Sequence, residues 1–321
     1  MKKLCLPFML LAVVFAPNVV MANTDIEEAA EDLVDPLFDE GGESKEAIER
    51  RMEAELDVNS ATDRRLAAIF ETARNPFALI PYEQNYIMYT YTDDINKDQY
   101  TAAGYEDADD LTDHEIKYQL SVMFPLYRGI FGKNTTLAGS FTQVALWQAT
   151  NSDISAPFRE TNYEPQIFVA WFTDYDVLGL KLRWIETGFN HQSNGRGQDL
   201  SRSWNRVFAN FLFERGDFSM NVRPWVRLSE DSDDDDNPDI DEYLGNHRLD
   251  FAYRYDQSVF TARTRYSFEG NKGSAELGWS YQLTQNMRVY AQVFTGYGET
   301  LIDYNHNQTR IGFGVMLNDL L

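Results

Sequence analysis

In EIKYQLSVMF, residues Glu115 to Phe124, the apolar side chains of Ile116, Tyr118, Leu120, Val122 and Phe124 alternate with Glu115, Lys117, Gln119 and Ser121. A period of two sends successive side chains to opposite faces of an extended chain, so this segment predicts a strand with one oily and one polar face. The same alternation recurs at Asn85 to Thr92, Thr136 to Gln148, Glu164 to Thr173, Gly179 to Asn190, Ser203 to Glu214 and Phe218 to Leu228. It continues at His247 to Tyr255, Ser258 to Phe268, Ser274 to Leu283, Met287 to Phe294 and Gln308 to Leu317. About twelve strands result, an even number of the kind a bacterial membrane barrel requires.

A sheet of this size needs a reason to show one oily face outward, and composition supplies it. Aromatic residues make up 14% of the chain, yet beyond the first 22 residues no apolar run approaches the ~18 residues that a membrane helix needs. A strand hides its lipid-facing residues in alternation, so a transmembrane antiparallel β-barrel reconciles the two facts. A soluble β-sandwich would share the alternation without needing this strand number and aromatic load. Short polar turns such as Tyr255-Asp256-Gln257 and Leu283-Thr284-Gln285-Asn286 alternate with long loops rich in Asp and Asn, the asymmetry of periplasmic and outer ends. Tyr82, Tyr86, Trp279, Tyr281 and Tyr290 lie near expected strand ends and suggest aromatic girdles.

Residues 1–22 have the order of a secretory signal peptide: Lys2 and Lys3, an apolar stretch from Leu4, and Val20-Met21-Ala22 before the expected cleavage. Pro17 and Asn18 break the apolar part, which argues against a membrane anchor. Cys5, the only cysteine, would leave with this segment, and with it any disulfide, thiolate metal site or cysteine nucleophile. Residues 23–75, with 16 acidic and 6 basic residues, predict an acidic arm, partly helical or disordered, with helical stretches at Lys45 to Leu56 and Arg64 to Phe70. Residues 76–321 form the expected barrel domain, which places the protein in the outer membrane of a Gram-negative bacterium. A net charge of −23 excludes nucleic acid as a partner.

One stretch carries chemistry: HQSNGRGQDLSRSWNR, His191 to Arg206. On a strand, His191 and Ser193 share a face about 6.5 Å apart, within reach of a proton transfer from hydroxyl to imidazole. Asn205 begins the following strand, and a hairpin across residues 194–202 brings its amide oxygen beside His191, where it fixes the tautomer. Gly195 lets the backbone turn close to Ser193 and offers an N–H to an oxyanion. A His and a Ser at this spacing are more often ordinary strand polarity; the addition of Asn205 and Gly195 makes the set specific. Elsewhere there is no GxSxG elbow. His114, His247 and His306 have no hydroxyl partner at strand spacing. The run Glu230 to Glu242 lacks the glycine and spacing of an EF-hand and suggests a solvated outer loop.

The stretch resembles the signature of outer membrane phospholipase A, a calcium-dependent family of integral membrane enzymes. RNPFALIPYEQNYI, SAPFRETNYEPQIF, SRSWNR, DDNPDI and GYGETLIDYNHNQTRIGFGVMLNDL extend the likeness over roughly residues 75 to 321. The resemblance implies Ser193 as nucleophile, His191 as general base, Asn205 as its orienting group and Gly195 as an oxyanion donor. It also implies calcium at the interface of an active homodimer, held by the Arg196 carbonyl and Ser201 hydroxyl of one subunit and Ser155 of the other, with a latent monomer. Gln143, which alone would pass for a lumen residue, corresponds to a glutamine that hydrogen-bonds across that dimer. Two positions depart from the family: Gln198 replaces an acidic residue of a second calcium site, although Asp199 and Asp236 remain, and Leu321 replaces a terminal aromatic. The expected activity is hydrolysis of acyl esters of membrane phospholipids and lysophospholipids, a phospholipase A1/A2 reaction. A passive porin or scaffold barrel is the alternative, and a barrel protease is weaker because no carboxylate cluster accompanies His191.

Overall fold

The computed structural model describes residues 79–105, 107–132, 135–154, 158–231, 235–284 and 286–318. The signal peptide, the acidic arm, Ser155 and Leu321 therefore lie outside the described residues. Twelve long antiparallel strands follow one another around a closed sheet: β2 (Asn85–Thr92), β3 (His114–Arg128), β4 (Thr135–Trp147), β5 (Phe158–Val177), β6 (Leu180–Ser193), β7 (Ser203–Arg215), β8 (Phe218–Leu228), β9 (His247–Tyr255), β10 (Ser258–Ser267), β11 (Lys272–Thr284), β12 (Met287–Tyr297) and β13 (Asn307–Asn318). Each strand pairs with the next, and β13 pairs with β2, so the sheet has no free edge. A two-residue strand, β1 (Ile80–Pro81), pairs with β3 and continues the line of β2. It thus lengthens one stave without adding another.

The expected strand positions hold, with one large difference in extent. β5 starts six residues before the expected Glu164 and ends at Val177, although Arg159 and Glu160, adjacent and both buried, break its alternation near the start. Pairing with β4 carries the segment through that break. Turns at one end are short: Leu178 and Gly179 both adopt positive φ, 53° and 84°, which closes a two-residue hairpin whose twist matches the strands. The other end carries the long loops 93–113, 194–202, 229–246 and 298–306.

Alternation sorts the side chains as a membrane demands. On β2, Ile87, Tyr89 and Tyr91 are exposed on the outer wall while Tyr86, Met88, Thr90 and Thr92 are buried in the lumen. The lumen is polar and filled. Arg159 pairs with Glu115 at 2.8 Å and Asp303 at 3.1 Å, Arg310 with Glu299 at 2.7 Å, and Arg248 and Arg263 with Glu83 at 2.8 and 2.7 Å. Removing one partner of such a buried pair strands the other charge and costs about 3–5 kcal/mol. A lumen cavity of about 120 Å³ lies among these groups. Three tyrosines expected in the girdles belong here instead: Tyr86 packs on Tyr290 at 5.2 Å, and the Tyr82 hydroxyl donates to Glu186 at 2.9 Å. Their register parity turns them inward, whereas Trp279 and Tyr281 do face outward.

Candidate active site

β6 runs from the short-turn end to the long-loop end, where it finishes on Asn190, His191, Gln192 and Ser193. Asn190 is buried in the lumen, and Gln192 shares its inward parity; its side-chain oxygen accepts from the Trp204 indole N–H at 2.9 Å. His191 and Ser193 share the parity of exposed Phe189 and face the outer wall. The register between β6 and β7 sets His191 directly opposite Asn205, and Ser193 opposite Ser203. Such opposed residues have Cβ atoms about 4.5–5.5 Å apart, close enough for short side chains to bond. His191 Nδ1 lies 2.8 Å from Asn205 Oδ1. The Asn205 amide N–H donates in turn to Glu230 Oε1 at 2.7 Å.

That second contact settles the first. A carboxylate can only accept, so Asn205 must direct Nδ2 to Glu230 and Oδ1 to the ring, and the ring proton then sits on Nδ1. Nε2 is left with a lone pair for a proton. Ser193 Oγ makes no hydrogen bond among the described residues; the structure places it on the same face without joining it to the imidazole. On the other side, Tyr163 of β5 stands opposite Ser193, and the ladder lapses until Gln166 meets Asn190. Pro165, which has no N–H, falls opposite His191 in that gap. Val226 and Leu228 on β8 are exposed beside Asn205 on the same wall, so the site opens onto an apolar surface.

The 194–202 loop is tied by one buried side chain. The Asn194 amide donates to the Leu200 carbonyl at 2.8 Å and its Oδ1 accepts from the backbone N–H of Arg202 at 3.0 Å and of Arg196 at 3.3 Å. Gly195 has φ +65°, and a Cβ there would lie 3.1 Å from the Tyr163 ring. The Arg196 guanidinium turns away to the carbonyls of Phe158, at 3.1 Å, and Arg159, with Glu160 at 3.4 Å. No N–H among the described residues donates to the Arg196 carbonyl. Ser201 Oγ donates to Asp236 Oδ2 at 2.5 Å. A free carbonyl, a hydroxyl and a carboxylate on one loop system are hard oxygen donors of the sort that suit calcium.

The described part of the acidic run is tethered as well as solvated, with Asp231, Asp236 and Glu242 exposed. Asp235 pairs with Arg227 at 2.7 Å, Asn237 Oδ1 accepts from the Ser203 N–H at 3.0 Å, and Asp239 accepts from the Tyr304 hydroxyl at 2.5 Å. α2 (Ile240–Leu244), the second of two short helices after α1 (Asp98–Ala102), buries Ile240 and Leu244. Burial, then the bond to Asp239, raises the Tyr304 phenol well above its ordinary range. Partners on β7, on β8 and in the 298–306 loop anchor the run against the site. Asn194, Tyr163 and Glu230 were not singled out from the sequence. Gln143, expected at the dimer interface, was: it lies on the outer wall and not in the lumen that its polarity alone suggests, and its amide donates to the Tyr118 hydroxyl at 3.1 Å. Its odd position in β4, two residues from Phe141, decides this.

The closed barrel, with His191, Asn205 and Ser193 together on its outer wall, is that of an outer-membrane enzyme. Comparison with known proteins supports that class: the family model for phospholipase A1 matches residues 62–317. The chain belongs to the phospholipase A1 family. It is 48% identical to phospholipase A1 of Klebsiella pneumoniae over 255 residues, 79% of this chain and 87% of that protein. It is similar to the structure of an active-site asparagine-to-alanine variant of Escherichia coli outer membrane phospholipase A, with TM-score 0.74 and 48% identity over 77% of this chain and 94% of that one. The Salmonella typhi outer membrane phospholipase dimer with bound calcium matches equally well, at TM-score 0.74, 47% identity and the same coverages. The protein is an ester hydrolase of the Gram-negative outer membrane.

Proposed function

We propose that this phospholipase cleaves the fatty acyl esters of phospholipids and lysophospholipids with Ser193 as nucleophile, His191 as general base and Asn205 as its orienting group. The 2.8 Å contact between His191 and Asn205, on the lipid-facing wall and two residues from Ser193, carries this reading. Nε2 takes the Ser193 proton as Oγ bonds to the ester carbonyl carbon. The resulting oxyanion is met by the Gly195 N–H. Collapse expels the glycerol oxygen, which takes the proton back from the imidazolium, and water then cleaves the acyl-serine by the same route. The active-site asparagine of the E. coli relative supports the role given to Asn205.

Arg196, through its carbonyl, and Ser201, with Ser155 of a second copy, would hold calcium, as the oxygen donors at the loop allow. Calcium bound there supplies positive charge near the developing oxyanion. Two copies complete each site, so dimerisation switches on a monomer that is otherwise latent. The calcium-bound dimer of the Salmonella relative supports this assembly. A porin reading has no comparable support, because ion pairs cross the lumen. Release of fatty acid from detergent-dispersed phospholipid, with calcium and with chelator, tests the proposal. Full release by Ser193→Ala would overturn the assigned nucleophile.

A further inference from the structure

We infer that Glu230 is a positioning residue for the hydrolysis, holding Asn205 in the one orientation that leaves the imidazole able to accept a proton. The inference rests on the Ser193–His191–Asn205 reading and extends it by one member.

Glu230 lies two residues past the end of β8, whose last residue, Leu228, stands opposite Asn205. From there its Oε1 accepts the Asn205 amide N–H at 2.7 Å. Asn205 is its sole polar partner among the described residues, so no competing ion pair explains its placement. An asparagine beside a neutral imidazole has two comparable orientations. With Oδ1 toward the ring, Nδ1 carries the proton and Nε2 is a base. With Nδ2 toward the ring, Nδ1 must accept, the proton moves to Nε2, and Ser193 faces a group that cannot take its proton. A carboxylate on the far side of the amide excludes the second state, because Oδ1 would then oppose Glu230 with no hydrogen between them. Glu230 thus selects the productive tautomer at one remove, and its charge strengthens the amide oxygen as acceptor when the imidazolium forms.

The experiment uses the full chain in detergent with calcium, comparing Glu230→Ala, Glu230→Gln, Asn205→Ala, Ser193→Ala and the Glu230→Ala/Asn205→Ala pair, each checked for unchanged thermal unfolding. Glu230→Ala is expected to lower kcat about tenfold, the scale of one lost charge-assisted hydrogen bond, with KM unchanged. Glu230→Gln, which keeps an acceptor but can also donate to a flipped amide, should recover only part of the loss. In the Asn205→Ala background, Glu230→Ala should change nothing further. The inference is overturned if Glu230→Ala keeps the parent kcat, if the loss appears in KM, or if the same loss persists without Asn205. An inactive Ser193→Ala beside a fully active Glu230→Ala removes only this inference; an active Ser193→Ala removes the catalytic reading itself.

Discussion

His191 and Asn205 face each other across β6 and β7 on the outside of the barrel, with 2.8 Å between Nδ1 and Oδ1. A pair built into the sheet register needs no loop to bring it together, so the imidazole is oriented before any substrate arrives. Replacing Ser193 by Ala should therefore abolish turnover, on the order of a 10⁶-fold loss where such a unit is intact. Asn205→Ala should be milder, roughly tenfold or more, as it removes one orienting bond and leaves the nucleophile. Single-turnover release of fatty acid separates the two; equal losses would mean that Asn205 does more than orient.

Gly195 occupies backbone that favours glycine, beside the Tyr163 ring. Gly195→Ala should strain the turn by about 1–2 kcal/mol and displace the N–H meant for the oxyanion. We expect a fall in kcat on the order of a hundredfold. Pairing it with Tyr163→Ala, which clears the ring, should restore only the steric part, seen as recovered thermal stability without recovered kcat.

Ser201 hydrogen-bonds Asp236 at the loop proposed for calcium. Ser201→Ala and Asp236→Asn should each raise the calcium concentration needed for half-maximal activity, by roughly tenfold for each lost oxygen donor or its charge. Titration of activity against buffered calcium reads the shift. Unchanged curves in both variants would move the ion elsewhere.

Gln143 exposes an amide on the lipid-facing wall and meets Tyr118 within the chain. Gln143→Ala should weaken self-association by about 1 kcal/mol, close to fivefold in the dimer dissociation constant, the scale of a hydrogen bond formed in lipid. Sedimentation equilibrium in density-matched detergent measures it. A dimer unaffected by the change would show that this face is not the interface.

Glu299, in the loop between β12 and β13, is lowered from 4.5 to about 2: burial opposes its charge, but Arg310 and Lys117 outweigh burial. A depressed carboxyl pKa contributes stability that is complete above the ordinary value and is lost as pH falls from there through the folded one. Unfolding followed between pH 5 and 2 should therefore show a loss that is smaller in Glu299→Gln. Equal slopes for parent and variant would remove Glu299 from the acid response.

Much of the barrel was legible in the sequence, because a period of two needs no knowledge of neighbours. The β3 segment alone separates Ile116, Tyr118 and Leu120 from Lys117, Gln119 and Ser121, and the structure keeps that separation. The common face of His191 and Ser193 and the hairpin to Asn205 follow from the same count. Segments with oily residues on both faces gave no such guidance. In NYIMYTYT of β2, Tyr86 and Tyr89 look alike in sequence, yet one packs in the lumen and the other meets lipid.

Sequence by itself determined which side chains share a face, and so the barrel class and the common face of His191 and Ser193. Only the closed structure decided which face is outside, because parity is relative until the register of all the strands is set. It turned Gln143 to the lipid and Tyr290 to the lumen, docked Asp235, Asp236 and Asn237 against the start of β7 and the end of β8, and brought Glu230 to Asn205. Those contacts join residues far apart in the chain, and no local pattern encodes a partner that arrives from another strand.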